Sequence, residues 1–204
     1  MKKFLYVFFT ISIIAGCFIS QNADEYYNSA ASKANLGDFD GSIEDCNKAI
    51  KLNPEYLEAY KFRGVIKDKL GDYYGAIADY IKVIELDPED AETFCYLGLS
   101  KGNLCDFHGA ILDFTKSIEL NPKDATAYYY RGFSKTKLGD FNGAIDDGTK
   151  AIELDPKCAK AYKYRGLSRL NLEDLNDAIS DFKQAARLGD TFSQEYLRDN
   201  GYSW

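Results

Sequence analysis

The chain repeats itself at a fixed interval of 34 residues. The segment LGDY at 70–73 returns as LGDF at 138–141, and weaker copies begin at Leu36, Leu104 and Leu172, with no insertion or deletion between them. A period between about 20 and 50 residues is typical of solenoids, in which one supersecondary unit is stacked on the next. The sequence therefore predicts a repeat protein that holds another protein, and it disfavours an enzyme.

Each unit carries the pattern of a first helix, a turn and a second helix. An aromatic residue is followed four residues later by a small one, as in Tyr60 and Gly64, which predicts close approach of the second helix. An aspartate precedes the second helix, where it is expected to cap the free N–H groups. In the second helix, apolar residues recur at intervals of three and four. The capping column consists of Asp38, Asp72, Asp106, Asp140 and Asp174.

This pattern resembles the tetratricopeptide repeat, whose generic line runs Trp, Leu-Gly, Tyr, Ala-x3-Phe and Pro. Tyr or Phe stands here in place of the Trp. The resemblance implies an all-α fold, a right-handed superhelix of five helix-turn-helix repeats with a concave groove lined by the first helices. The five copies cover 23–192, as 23–56, 57–90, 91–124, 125–158 and 159–192.

A short closing helix is expected after the repeats, within the segment 193–204. Ser193 is a suitable cap for it, and Gly201 lies past its end. Because a solenoid needs an element that covers its last open face, Tyr196 and Leu197 are expected to make that contact.

Two features depart from the family pattern. Three units carry an arginine before the small residue, and an antiparallel hairpin would bring it level with an aspartate of the second helix. The predicted ion pairs are Arg63 with Asp79, Arg131 with Asp147 and Arg165 with Asp181, and a ligand-binding role for these arginines is the less favoured alternative. Gly148 replaces the larger core residue of the other units, which predicts a weak second helix in the fourth unit.

The first 20 residues have a different composition. Lys2 and Lys3 precede an uncharged stretch at 4–14, which is shorter than the ~20 residues of a transmembrane helix. This order predicts a signal peptide over 1–16. The stretch 14–17 resembles the bacterial lipobox, which implies that Cys17 is lipidated and that 17–22 form a short tether. The alternative is an unlipidated signal or a short anchor. The expected location is a bacterial envelope membrane, at the outer membrane or cell surface rather than in the cytoplasm.

The remaining composition excludes several classes of function. A net charge of −7 argues against a nucleic-acid partner. The single histidine, His108, has no metal-ligand partner at a suitable spacing, so we expect no catalytic site, no metal and no cofactor. Besides Cys17, the chain has Cys46, Cys95, Cys105 and Cys158, and their places in the repeat favour four unpaired thiols.

The resemblance implies a binding groove on the first helices, with apolar and aromatic residues flanked by lysine and asparagine. Such a strip suits a peptide or an amphipathic helix of a client protein. In the alternative reading, Leu99, Phe133 and Leu167 only pack neighbouring first helices together. The expected groove residues are Tyr27, Lys61, Val65, Cys95, Leu99, Asn103, Tyr129, Phe133, Lys137, Lys163 and Leu167.

The expected function is that of a membrane-anchored scaffold or adaptor that binds a client protein in this groove. The alternative is a structural envelope protein that associates with itself and has no external client. The family's clamp for C-terminal carboxylates is disfavoured, because Val65 and Leu167 stand where that clamp needs asparagine beside Lys61 and Lys163.

Overall fold

The computed structural model describes residues 22–204, so Cys17 and the predicted signal peptide lie outside the described residues. These residues contain eleven helices and no strand. They form two compact units, 22–88 with four helices and 89–204 with seven. The helices are α1 (22–35), α2 (Phe39–Leu52), α3 (Leu57–Leu70), α4 (Tyr73–Leu86), α5 (Ala91–Asn103), α6 (Phe107–Leu120), α7 (Ala125–Lys137), α8 (Phe141–Leu154), α9 (Ala159–Asn171), α10 (Leu175–Arg187) and α11 (Thr191–Asp199).

Consecutive helices pack in pairs, as the repeat pattern predicts. In the first unit α3 packs on α4, and α1 is joined to α2 by an ion pair of 2.6 Å between Lys33 Nζ and Asp45 Oδ2. In the second unit α5 packs on α6, α7 on α8 and α9 on α10. The prediction of an all-α fold built from helix–turn–helix pairs is confirmed.

The predicted aspartate caps begin every second helix. Asp140, for example, accepts a hydrogen bond from the backbone N–H of Gly143 at 3.0 Å. In four of the five second helices this third residue is glycine, and a Cβ built there would lie 2.1–2.3 Å from the capping carboxylate. In α10 the third residue is Asp177, and its bond to Asp174 lengthens to 3.5 Å. Glycine at this position therefore lets the cap approach closely.

The turns between paired helices use the left-handed backbone conformation. Gly37, Gly71 and Gly139 adopt φ values of 83–84° at this place. Cys105 and Glu173 occupy the equivalent place in the other two pairs, each with φ of 62°. Because a Cβ crowds the carbonyl in this conformation, these two turns are strained.

An aromatic ring on the second helix fills the space above a small residue on the first. A Cβ added to Gly64 would lie 2.6 Å from the ring of Tyr80, and one added to Gly98 would lie 2.8 Å from the ring of Phe114. Phe182 covers Gly166 in the same way. These rings are fully buried, so the small-residue column has the packing role that the sequence indicates.

The fourth pair lacks this ring because Gly148 replaces it. Helix α8 is nevertheless continuous, and Gly148 is buried. A Cβ there would lie 2.8 Å from Cβ of Arg165, so the side-chain stem of Arg165 occupies this space. The reduced stability expected for α8 stays a prediction.

The predicted ion pairs form in all three arginine-bearing pairs. Arg165 donates from Nε to Asp181 Oδ2 at 2.9 Å and from Nη2 to Oδ1 at 2.7 Å. A second cation, Arg169, joins the same carboxylate at 2.7 Å. Equivalent contacts join Arg63 and Lys67 to Asp79, and Arg131 and Lys135 to Asp147. The arginines are therefore structural, as the favoured interpretation holds.

Each of these arginines also reaches the preceding helix pair. Nη1 of Arg131 donates to Thr115 at 3.2 Å, and Nη1 of Arg165 donates to Thr149 at 3.0 Å. Arg63 bonds Asn47 in the same way. One side chain thus links the second helices of two successive pairs within each unit.

The last helix covers the end of the second unit. Leu197 is fully buried, and the ring of Tyr196 lies 4.7 Å from that of Phe182, so both predicted contacts are confirmed. The predicted cap is wrong, because α11 begins at Thr191 and Asp190 caps it by accepting from the backbone N–H of Ser193 at 2.9 Å.

Candidate functional site

The first helices of the second unit border a pocket of about 300 Å³. Helix α7 forms one wall, α9 forms the other, and the first residue of α8 lies at the end. Both walls combine ring or aliphatic side chains with polar ones. The lining residues are Phe133, Thr136, Lys137, Phe141, Tyr164, Leu167 and Asn171.

A second, smaller pocket of about 60 Å³ lies between α5, α6 and α7. Phe133 borders both pockets, and its ring lies edge-on to that of Phe107 at 6.2 Å. An apolar segment lying along the first helices would therefore contact Phe133 in either pocket. The smaller pocket is lined by Gly98, Leu99, Gly102, Asn103, Phe114, Tyr130, Phe133 and Ser134.

Four rings connect α7 and α9, and we call Tyr130, Tyr129, Tyr164 and Phe133 the aromatic row. The ring centroids of Tyr130 and Tyr129 are 4.3 Å apart, those of Tyr129 and Tyr164 are 6.3 Å apart, and those of Tyr164 and Phe133 are 4.8 Å apart. Burial raises the pKa of Tyr129 and of Tyr164, so both phenols stay protonated at neutral pH. The row is neutral and mainly apolar; Tyr129 within it is buried, and the other three rings are partly exposed.

Hydrogen bonds between and within the helices fix the row. Thr136 Oγ1 on α7 and Ser168 Oγ on α9 are 2.7 Å apart, which ties the two helices together. Ser168 Oγ also donates to the carbonyl of Tyr164, and Ser134 Oγ donates to the carbonyl of Tyr130, each at 3.0 Å. The rings therefore project from a rigid pair of helices, which lowers the entropy cost of binding.

Three lysines lie over the aromatic row. Lys137 Nζ is 5.3 Å from the ring centroid of Phe133, and Lys160 Nζ is 5.9 and 5.4 Å from those of Tyr129 and Tyr130. Lys163 lies over Tyr164 at 5.0 Å. Cation–π contacts of this kind place the ammonium groups at the surface of the row.

The predicted groove residues of the second unit divide into three groups. Leu99 and Asn103 line the smaller pocket, Lys137 and Leu167 line the larger one, and Phe133 lines both. Cys95 and Tyr129 belong mainly to the core, with 4% and 8% of their surface exposed. Lys163 is held by Asp190 at 3.0 Å and half-buried.

The remaining predicted residues lie in the first unit. The ring of Tyr27 packs 5.4 Å from that of Tyr56 and 5.8 Å from that of Phe62, and burial raises its pKa. Lys61 and Val65 are half-buried on α3. In the first unit, Tyr27 is therefore part of a ring cluster.

Sequence reasoning missed several residues of the site, among them Tyr130, Thr136, Phe141 and Tyr164. A signal for two of them exists, because Tyr130 and Tyr164 belong to an aromatic column that begins at Phe62 and continues through Tyr96. Phe141 ends the repeated segment LGDF at 138–141, but that segment indicates only a turn, and nothing in the sequence singles out Thr136. Both join the site through the packing of α7, α8 and α9.

Two thiols lie beside the site: Cys95 shares a core cluster with Phe114, and Cys158 packs against the cluster that contains Tyr129. All four cysteines of residues 22–204 are free thiols, and burial raises the pKa of Cys46 to about 11 and that of Cys95 to about 12. The prediction of unpaired thiols is confirmed for this part of the chain. Among the same residues, no group of three His, Cys, Asp or Glu side chains is placed to hold a metal ion. None of the helices from residue 22 onward is both long and apolar enough to span a bilayer.

Family models match the chain in three stretches. The tetratricopeptide repeat model matches residues 23–56 and 125–158, and a TPR repeat model matches 68–104. None of these descriptions names an enzyme. No curated protein matches the chain.

Solved structures of helical-repeat proteins share the fold. A MamA structure is 28% identical, with a TM-score of 0.73 over 81% of this chain and 96% of its own. MamA from Desulfovibrio magneticus RS-1 is 21% identical, with a TM-score of 0.77 over 83% and 98%. YrrB, described as a TPR protein with an unusual peptide-binding site, is 20% identical, with a TM-score of 0.71 over 85% and 90%. Together with the family matches and the helix pairs, these similarities establish that the chain is a tetratricopeptide-repeat protein.

Proposed function

We propose that this protein is an interaction scaffold whose second unit binds a segment of a client protein along α7 and α9. The observation that carries the proposal is the pair of pockets that meet at Phe133. Their open apolar surface is bordered by Lys137, Asn103 and Asn171, which matches the preference of binding sites for apolar contacts with a few orienting polar groups.

The aromatic row supports binding rather than packing alone. Phe133, Tyr164 and Leu167 are only partly buried, so they retain surface for a partner. Aromatic residues held by packed helices provide large contact area with little loss of side-chain entropy. YrrB, a relative in fold, is described as having a peptide-binding site, which agrees with this class of function.

We extend the proposal to the repeat count and to the location. All five helix pairs share the capping aspartate and the cation–aspartate contact, so all five are tetratricopeptide repeats in this proposal. The sequence of residues 1–17 supports export and lipid attachment at Cys17, which would hold the scaffold at a bacterial envelope membrane.

Site-specific photocrosslinking in cells tests the scaffold function. A benzophenone amino acid at Asn171 should give a discrete adduct with another protein, whereas the same probe at exposed Lys116 on α6 should not. The adduct should disappear in a Phe133→Glu variant that keeps its helical content. Adducts that are equal at both positions, or that contain only copies of this chain, would contradict an external client in the groove.

A further inference from the structure

The cations at the aromatic row outnumber the one carboxylate beside it, Asp190. Lys137, Lys160 and Lys163 all lie above its rings, and only Lys163 has a carboxylate partner, Asp190. Within residues 22–204, neither Lys137 nor Lys160 forms an ion pair. The chain as a whole carries a net charge of −7, so this cationic surface is a local exception.

The groups that act directly on Lys160 are uncharged at physiological pH, although the carboxylates of Asp155 and Asp190 act on two of them, Cys158 and Tyr164. Its Nζ donates to the hydroxyl of Tyr130 at 3.2 Å, which raises the pKa of the lysine. The other groups that act on it are Tyr164 and Cys158. Burial raises the pKa of both, so neither carries a negative charge. Lys160 is thus a cation without an ion-pair partner among residues 22–204.

Resting on the proposed function, we infer that the aromatic row recognises an acidic segment of the client. An apolar or aromatic side chain of that segment enters the pocket beside Phe133, and carboxylates on either side of it meet Lys137 and Lys160. The argument is charge complementarity: a basic segment would be repelled by both lysines, and a neutral one would gain nothing from them.

The geometry of the row gives an upper limit to the spacing of the two carboxylates. Lys137 lies over the ring at one end, Phe133, and Lys160 lies over Tyr130 at the other. The three ring-to-ring steps place these end rings at most about 15 Å apart. An extended peptide rises about 3.3 Å per residue, so no more than about four to five residues of it span the two end rings.

The two contributions to binding differ in kind. The rings and the pocket supply most of the affinity, because buried apolar contact dominates such interfaces. Each exposed lysine–carboxylate pair is worth little, so losing one should weaken binding about threefold to fivefold. The lysines therefore determine which segments bind rather than whether any segment binds.

The test is a selection with a defined probe. A polyvalent library of random dodecapeptides is selected on the full chain in detergent, and the enriched sequences are synthesised with a fluorescent label. We expect the enriched peptides to carry Asp or Glu on both sides of an apolar residue. Lys137→Glu and Lys160→Glu should each weaken their binding about tenfold or more, since charge reversal adds repulsion to the lost pair.

Matched variants separate the inference from the proposed function. Lys123→Glu makes the same charge change on an exposed residue outside both pockets and should leave the affinity within about twofold. Phe133→Glu should abolish binding. Enrichment of basic or uncharged peptides that still need Phe133 for binding would overturn the acidic preference but would leave the proposed binding along α7 and α9 intact. Peptides that bind Phe133→Glu equally well, or no enrichment at all, would overturn both.

Discussion

Arg131 and Asp147 form a two-point ion pair between α7 and α8. Nε of Arg131 donates to Oδ2 at 2.9 Å and Nη2 donates to Oδ1 at 2.6 Å, while Lys135 approaches the same carboxylate at 2.8 Å. The carboxylate is buried, and both cations are partly exposed. One aspartate thus forms ion pairs with two cations inside the helix pair.

Removal of this carboxylate should destabilise the second unit. Asp147→Ala leaves Arg131 and Lys135 unpaired, and we expect the free energy of unfolding to fall by about 2–3 kcal/mol. Adding Arg131→Met to Asp147→Ala should restore part of this loss. Urea denaturation measures both, with Asp146→Ala on the exposed face as the control. If the double variant lost as much stability as Asp147→Ala and Arg131→Met lose when added together, the pair would have no coupling energy.

Relief of the strained turns should stabilise the protein. Cys105→Gly and Glu173→Gly place glycine in the left-handed conformation that both residues now adopt, so each should raise the free energy of unfolding by about 1 kcal/mol. Gly139→Ala is the reverse change at the equivalent turn and should lower it by a similar amount. Thermal unfolding measures all three, and a loss of stability in both glycine variants would contradict the assignment of strain.

Two glycines of helix α5 should respond oppositely to alanine. A Cβ at Gly98 would lie 2.8–3.0 Å from the ring of Phe114, whereas one at Gly102 meets nothing within 4 Å. Gly98→Ala should therefore destabilise by about 1–3 kcal/mol through overpacking. Gly102→Ala should stabilise by up to about 1 kcal/mol through helix propensity. Equal effects in denaturation experiments would mean that the ring moves aside at little cost.

The third helix pair should differ from the others in its response to pH. Burial raises the pKa of Asp113 above its usual 3.8, because Leu97 replaces the arginine of other pairs and Lys101 is the carboxylate's one ion-pair partner in the described residues. The folded state therefore holds the proton more tightly than the unfolded state, and stability falls as pH rises through the window above 3.8. Asp113→Asn should remove this fall and be neutral or stabilising at pH 7.

Asp45 provides the matched control, because its pKa is shifted in the direction opposite to that of Asp113. Burial opposes its ionisation, but hydrogen bonds from Lys33, Lys48 and Ser29 outweigh burial and lower its pKa. Its stabilisation is present above pH 3.8 and is lost as pH falls through the lowered pKa. Asp45→Asn should therefore destabilise at pH 7, and the loss should shrink in acid. If Asp45→Asn and Asp113→Asn both lowered, or both raised, the free energy of unfolding at pH 7, this assignment would be contradicted.

Lipid attachment can be tested by metabolic labelling. In cells fed an alkyne-bearing palmitate analogue, the wild-type chain and Cys105→Ser should incorporate the label, whereas Cys17→Ser should not. The expectation follows from the resemblance of residues 14–17 to a lipobox. Label that persists in Cys17→Ser would place the modification elsewhere, and unlabelled wild type would indicate a signal without lipid.

The hairpin contacts could be predicted because they recur in register. Arg63 and Asp79 are 16 residues apart, as are the other two pairs, and one hairpin geometry brings all of them level. The cap of α11 could not be assigned correctly because Asp190 and Ser193 are both good caps. The structure shows that Gly189 and Asp190 repeat the turn formed by Gly71 and Asp72, with positive φ followed by a capping carboxylate.

The details of the candidate site depended on contacts outside the repeat pattern. Lys163 occupies a groove position in the repeat pattern. In the structure it forms an ion pair with Asp190, which follows the last helix pair. Tyr164 was missed because its role comes from the approach of α9 to α7, which brings its ring 4.8 Å from that of Phe133. A periodic sequence thus indicates which face is available, while the side-chain partners of neighbouring helices decide which residues remain accessible on it.

The arginine that bonds the preceding helix pair also has a consequence for folding cooperativity. Arg165 shares its guanidinium between Asp181 of its own pair and Thr149 of the pair before it. Melting of α8 would therefore remove a partner from α9, so local unfolding of one pair loosens the next. In a linear array such nearest-neighbour coupling makes successive hairpins unfold together, although each hairpin has its own turn, helix cap and ion pair.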